Sequence, residues 1–467
     1  MSNTDNTTLT PTCSHWGNYR VEHRGDELIA VHAYTADENP TPIRHNLLSA
    51  LDPNVRIAQP MVRQSYLRSP EASDTCRRGV DKYVPVSWDE ALDLAASALA
   101  RVRSEYGNQS IYGGSYGWAS AGRFHHAQSQ IHRFLNGFGG YTRSVNSYST
   151  AAAEVIMPYV LGVPFMQLVF EAPTAEDIAK HCKTLLLFGG APMKNNQVNA
   201  GGLGAHTAKQ QLQAIASAGV SIINVSPLRS DTAEFLNACW IAARPCSDVA
   251  LMLGIAHTLY TEDLHDQLFL EKYCAGFDKF LPYLLGATDG QAKDAEWAAQ
   301  LSEVSAQTIK ELARQLASGR SVLGISWSLQ RQEHGEQTYW MITVLGAMLG
   351  YLGLAGGGVA YGYGCIHNMG FSGRRVPPFS IGSLPQGRNA VEEYIPVSRI
   401  TEMLESPGTE QEYKGRRLTY PDIQLIYWAG GNPFHHHQDL NRLRKAWCEP
   451  ETIIVHEPFW TATARHA

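Results

Sequence analysis

Two stretches of this chain alternate apolar runs with a helical pattern in the same order. The run "TLLLF" at 184–188 is followed by Gly189 and Gly190, a loop, the helical segment "AHTAKQQLQAIASAG" and a second apolar run, "SIINV". Apolar strands joined by a helix are the pattern of a βαβ unit in a parallel sheet, where both strand faces are covered. The succession returns as "IQLIYWAGG", "DLNRLRKAW" and "TIIVHEP" near residues 423–458. Elsewhere the pattern predicts a short β-meander over 15–35. It also predicts a helix opening at Ser87, with Glu90 at capping-box spacing, an apolar stripe of Leu92, Ala95, Ala96 and Leu99, and Gly107 as its stop. "SIYGG" reads as a strand leading through a loop into a helix, and "STAAAEVIMPYVLG" as a helix starting near Ser149 or Thr150. "DVALMLGIAHTLYTED" and "AQTIKELARQLASG" read as helices and "SVLGISWS" as a strand. Residues 355–390, rich in Gly and Pro, read as a long irregular loop of the kind that carries function.

The two units agree beyond their order. Gly430, Gly431, Pro433 and Gln438 fall on Gly189, Gly190, Pro192 and Gln197 at a constant offset of 241 (430 − 189). Further on, Ile453, Pro458 and Thr463 pair with Ile222, Pro227 and Thr232. This is a duplicated βαβ. In open α/β sheets ligands sit beyond the carboxyl ends of the strands, where glycines admit the ligand and helix N-termini offer free N–H groups to phosphate. A carboxylate ending the next strand can take a ribose; Glu457 stands there in the second copy and Ser226 in the first. Neither copy has G-x-G-x-x-G, which counts against a standard NAD site. Two readings remain open from the repeat alone: two tight sheet corners, or two nucleotide-like ligands related by pseudo-symmetry. The triplet His435, His436, His437 suggests a metal, but adjacent residues on extended chain point to alternate sides and do not converge on one ion.

Composition narrows the class. The 467 residues imply about two to four domains. A net charge of −6 lacks the basic footprint of a nucleic-acid binder. No apolar run approaches the ~18 residues of a membrane span. The start, "MSNTDNTTLTPT", has neither an Arg pair nor an apolar core, so the expectation is a cytoplasmic protein, or a periplasmic one if an upstream signal was removed. Eight scattered cysteines without a C-x-x-C pair argue against structural zinc, a redox dithiol and a cysteine-held iron–sulfur cluster.

Several segments carry a specific likeness. "GGSYGW…GRFHHAQSQIHRFLNGFGGYTRSVNSYSTAAAEVIMPYVLG", "HWG" at 15–17, "SDVALMLGIAHTL" at 247, "WSLQRQEHGEQTYWM" at 327, "GNPFHHHQD" at 431 and "EPFWTATARHA" at 457 strongly resemble the molybdenum-dependent dimethyl sulfoxide, trimethylamine N-oxide and biotin sulfoxide reductases. The resemblance is closest to the biotin sulfoxide reductase-like members and covers nearly the whole chain. It implies a multi-domain α/β molybdopterin oxidoreductase fold containing the duplicated nucleotide-binding motif. It also implies one molybdenum held by two molybdopterin guanine dinucleotides, without an iron–sulfur cluster. Four parts are expected: a β-rich segment over 1–60; an α/β part with the metal-ligand serine over 61–180; a first dinucleotide-binding domain over 181–355; and a return segment with the second βαβ half over 356–467. Family members continue for several hundred residues into a C-terminal β-rich domain, and the expectation is that this domain is missing here.

By the same resemblance Ser149 of "YST" ligates the metal, an alkoxide suiting a high-valent ion. The residue-level alternative is a helix N-cap. Tyr116 matches a tyrosine whose hydroxyl reaches the metal-bound oxygen, and Trp118 a tryptophan lining that pocket; the tyrosine tilts the substrate towards S-oxides. Lys194, Trp327, Gln330, Arg331, His334, Asn432, His436, Gln438 and Glu457 fall in cofactor-contacting segments, and Asp248 aligns with an aspartate near one guanine. The chain departs from the family with Ser226 and Ser147 where Asp is usual. The implied activity is reduction of S-oxides, and of N-oxides, by oxygen-atom transfer, with electrons from a separate donor. The alternatives are a cofactor-free, non-catalytic relic or partner-binding subunit, and a Rossmann-type dehydrogenase.

Overall fold

The computed structural model describes residues 7–115, 126–367 and 384–467. Strands β1 (Thr8–Ser14), β2 (Gly17–Arg24) and β3 (Glu27–Ala33) form the antiparallel meander, and β4 (Met61–Arg63) pairs with β5 (Tyr83–Pro85). The chain then lays down β6 (Ile111–Gly114) and β7 (Thr142–Val145) side by side. It leaves them to build a separate five-stranded sheet from β8 (Thr184–Phe188), β9 (Ser221–Val225), β10 (Cys239–Ile241), β11 (Ser321–Ile325) and β12 (Gly358–Tyr361). It returns with β13 (Tyr394–Pro396), the hairpin β14 (Glu410–Tyr413) and β15 (Arg416–Thr419), and finally β16 (Leu425–Ala429) and β17 (Thr452–His456). The sheet orders are β10-β9-β8-β11-β12 and β13-β7-β6-β16-β17, with every pairing parallel.

Each copy of the repeat thus lies in its own sheet. In the first, alternate residues of the central strands feed opposite layers. Leu185, Leu187 and Ile222 pack with Leu212 and Ile215 of the helix Ala208–Ser217. Leu186, Phe188, Ile223 and Leu323 pack with the helices Asp248–Thr261, Ala306–Ala317 and Glu336–Met348. A fully buried Leu or Ile contributes roughly 1.5–3 kcal/mol, so these two layers hold the sheet together. The β8-to-β9 crossover covers one face and the β11-to-β12 crossover the other, so the order reverses between β8 and β11. The second sheet repeats this: the helix Ala127–Phe138 packs with Ile111 and Leu425, and the helix Leu440–Ala446 with Ile426 and Trp428 on the opposite face. Its order reverses between β6 and β16. Ligand crevices open at such reversals.

Two local expectations change, and one helix was not anticipated. The helix Trp88–Glu105 has its capping box at Ser87 and Glu90, but its buried stripe is Ala98, Leu99 and Val102, while Leu92 is exposed. Helical phase puts Val102 on the core side and Leu92, ten residues earlier, on the solvent side. Within 355–390 the buried run "GVAY" is β12, the edge strand of the first sheet, and not irregular loop. The helix Glu336–Met348, buried on nearly all sides, shows no amphipathic stripe in the sequence.

Candidate functional site

Both repeated corners stand at the reversals. Gly189 and Gly190 follow β8 with φ of 83° and 69°, and Gly430 and Gly431 follow β16 with φ of 69° and 78°. Four left-handed backbones at matched positions explain why both copies spell Gly-Gly. A Cβ on Gly190 would lie 2.2 Å from the Asp231 carbonyl oxygen, so the first corner is also sterically committed to glycine.

A cleft of about 1370 Å³ gathers the turn at 146–149, Gln330 and Arg331 beyond β11, Ser398 and Arg399 beyond β13, and Gly431, His435, His436 and Gln438 beyond β16. Ser149 lies in its wall. The helix Ala151–Val160 takes Thr150 as its N-cap, so Ser149 is not the cap. Its turn is held from outside. The buried Gln330 amide donates to Ser149 O at 3.0 Å and accepts from Ala153 N at 2.9 Å, and Arg331 Nε donates to Tyr148 O at 2.9 Å. Below the turn, the Tyr148 hydroxyl donates to Val397 O at 3.0 Å and bonds His437, whose other ring nitrogen bonds the Thr401 hydroxyl at 2.7 Å. Asn146, at φ 65°, donates to Glu154 at 2.7 Å and accepts from the Tyr413 hydroxyl. Backbone carbonyls of the turn are thereby occupied, while no described side chain bonds the Ser149 hydroxyl.

The cleft brings together Ser149, Gln330, Arg331, His436 and Gln438, and adds His15 of "HWG". Lys194, Ser226, Asp248, Trp327, His334, Asn432 and Glu457 do not line it. Lys194 is exposed beside the first corner, with no ion pair among the described residues. His334 is on the surface, 3.9 Å from Glu333. Asn432 accepts from Thr463 N at 3.2 Å and ties the second corner to the turn after β17. Glu457, just past β17, accepts from Phe459 N at 3.2 Å, and burial pushes its carboxyl up. Ser226 departs from the ribose role: its hydroxyl, buried, donates to Asp231 Oδ2 at 2.5 Å. Asp231 is therefore the carboxylate the first corner presents, a residue the strand-end rule missed because it sits five positions on. Asp248 opens the helix Asp248–Thr261 with its carboxyl pushed up to about 6 by burial. Tyr116 and Trp118 lie outside the described residues.

The histidine triplet is a one-turn helix, Pro433–His436, followed by His437, and not extended chain. His435 and His436 are exposed in the cleft, while His437 is turned inward to Tyr148 and Thr401. Burial lowers the pKa of His436 and of His437. Among the described residues no group of three or more His, Cys, Asp or Glu could hold a metal ion, and no helix is long and apolar enough to cross a membrane.

The corners suit a polar two-ended ligand. Trp327 Nε1, Asn196 Oδ1 and Thr232 Oγ1 are buried around the first corner without hydrogen-bond partners. Such orphaned groups cost about 1–3 kcal/mol each unless something bonds them. Beside them the exposed Lys194 is a cation and Asp231 an acceptor, groups of the kind that phosphate and hydroxyl groups can bind.

Comparison with known proteins agrees. A biotin sulfoxide reductase of Cereibacter sphaeroides is 44% identical over 442 residues, covering 94% of this chain and 58% of that protein. A dimethyl sulfoxide/trimethylamine N-oxide reductase of Rhodobacter capsulatus is 42% identical over 468 residues, covering 97% and 56%. The chain thus spans between 56% and 58% of the length of these two curated relatives. Among solved structures, the acetylene hydratase of Pelobacter acetylenicus superposes with a TM-score of 0.61 at 15% identity over 98% of this chain and 62% of that one, which shows the shared fold. The N-terminal-domain model of the molybdopterin oxidoreductases matches residues 12–52 and the main model residues 56–467, and the chain belongs to the molybdopterin oxidoreductase family.

Proposed function

We propose that this chain binds molybdenum between two molybdopterin guanine dinucleotides, one per Gly-Gly corner, and serves the reduction of S-oxides, with N-oxides as secondary substrates. The carrying observation is the cleft whose wall holds Ser149, with no hydroxyl partner among the described residues, together with loops that follow β11 of the first sheet and β16 of the second. The relatives' names support the substrate class. When bound, the cofactor supplies the two-electron chemistry that takes up the oxygen atom of an S-oxide. The balanced reaction converts S-oxide, two protons and two electrons from a separate donor into thioether and water.

The chain's own residues bind and orient. Ser149 offers an alkoxide ligand, with Gln330 and Arg331 fixing its backbone so that the hydroxyl remains available. Asp248 and Asp231 at one end, and Glu457 at the other, accept base and ribose hydrogens. Lys194, Arg331 and Gln438 would bind the phosphate and pterin polar groups. By the family resemblance, Tyr116 would donate a hydrogen bond to the substrate oxygen as negative charge builds there, and Trp118 would be a pocket residue.

Expression in a host that makes the cofactor tests this. The purified protein should carry one molybdenum and release two GMP on acid hydrolysis, and Ser149→Ala should keep both nucleotides while its molybdenum absorption edge loses one oxygen neighbour. Protein with neither molybdenum nor GMP would leave only the cofactor-free, partner-binding reading.

A further inference from the structure

Residues 74–78 and 447–451 meet across the fold. The buried Arg78 guanidinium donates to Trp447 O at 2.8 Å and to Glu451 O at 2.9 Å, pinning the turn Thr75–Arg77 onto the loop that leads into β17. At this seam stand Cys76, two residues before Arg78, and Cys448, next to Trp447, both as free thiols. Cys76 is exposed, and its backbone N–H is held by Asp74 at 3.0 Å. Cys448 is half-buried, and its thiol reaches Arg444 O at 3.5 Å. Neither lines the cleft.

We propose that Cys76 and Cys448 form a peroxide-sensitive pair that closes into a reversible intrachain disulfide, with Cys76 attacking and Cys448 resolving. Exposure decides the order, because peroxide reaches Cys76 first and the thiolate is the nucleophile. Burial and the neighbouring Cys76 push the Cys448 thiol up to about 11, so it waits as the protonated partner. Arg78 sits beside both sulfurs as the local cation. The Cys76 sulfur, giving up its thiol proton, takes one oxygen of hydrogen peroxide to become a sulfenic acid, and the other oxygen leaves with that proton's equivalent as water. Cys448 sulfur then attacks the sulfenic sulfur, expelling a second water and losing its proton. Two thiols and one peroxide give one disulfide and two waters. The bridge joins positions 372 residues apart (448 − 76) and staples the segment before β17 to the N-terminal part.

Reduced, desalted full chain is treated with one equivalent of hydrogen peroxide and mapped by non-reducing peptide mass spectrometry. The expected product is a Cys76–Cys448 cross-linked peptide, two fewer titratable thiols, and a melting temperature several degrees higher that dithiothreitol reverses. In Cys448→Ser, dimedone should trap a sulfenic acid on Cys76 and the melting temperature should not rise. Cys76→Ser, a mild change at an exposed site, should abolish the cross-link. Oxidation appearing first at the exposed Cys13, Cys239 or Cys246, with no 76–448 peptide, would overturn the proposal. So would a dimedone adduct in Cys448→Ser that is absent from Cys76.

Discussion

Asp248, which opens the helix that follows β10, offers a quantitative test of the proposed base-binding role. Its carboxyl is pushed from 3.8 to about 6, chiefly by burial, with only a backbone N–H of its own turn opposing the shift. Because the native pKa is raised, the folded protein holds the proton to higher pH than the unfolded chain. Stability is therefore largest below about 3.8, declines as pH rises to about 6, and is constant above that. A gap of about 2.2 units corresponds to about 3 kcal/mol of destabilisation at pH 8, shrinking to about 1 kcal/mol at pH 4.5. Asp248→Asn keeps the shape and removes the ionisation. In cofactor-free protein it should be more stable than wild type by about 3 kcal/mol at pH 8 and by about 1 kcal/mol at pH 4.5, read from paired urea titrations of tryptophan fluorescence. The same variant should retain less GMP, because an amide cannot accept both N–H donors of guanine. A gain that does not change with pH, or a loss at pH 8, would refute the claim that the carboxylate is held at a cost for a ligand to use.

The other predictions are shorter. Gly190→Ala should cost at least about 2 kcal/mol more than Gly219→Ala, since both have positive φ (69° and 80°) but only Gly190 has backbone within 4 Å of a new Cβ; equal urea midpoints would contradict the close approach. Gln330→Ala should destabilise by about 2–3 kcal/mol, because Ala153 N and Ser149 O lose buried partners, with urea titration as the check. Burial lowers the His437 pKa from 6.5, so its contribution is fully present above about 6.5 and is lost progressively as pH falls from there towards the lowered native value. His437→Gln should flatten the decline in stability between pH 7 and 5, and an unchanged slope would disprove it. Tyr116→Phe should slow S-oxide turnover more than N-oxide turnover in the loaded protein, and equal losses would remove the substrate argument.

The duplicated corners were legible because glycines at positive φ leave a mark that no other residue can, and because uninterrupted apolar strands announce parallel sheets. Ser149 was singled out only by resemblance, and that the helix N-cap is Thr150 became clear only in the fold. What stayed hidden was non-local. Nothing near Asn146 signals Tyr413, 267 residues away, and Asp231 offers no strand-end pattern to identify it as the partner of Ser226. The helix Glu336–Met348 escaped because burial on every side erases the amphipathic stripe, and β12 because glycines around a four-residue strand resemble loop.

The interleaved order of the two sheets has a consequence for synthesis. Strands β6 and β7 are complete by residue 145, yet their outer neighbours β16 and β13 begin only at 425 and 394. At roughly 5–20 residues per second the ribosome needs about 12–50 s to bridge the 249 residues (394 − 145) from β7 to β13. Throughout that interval the β8–β11 strands can fold on the emerging chain, while the β6–β7 pair waits with both hydrogen-bonding edges open. Those edges are where a holdase would be expected to bind the nascent polypeptide.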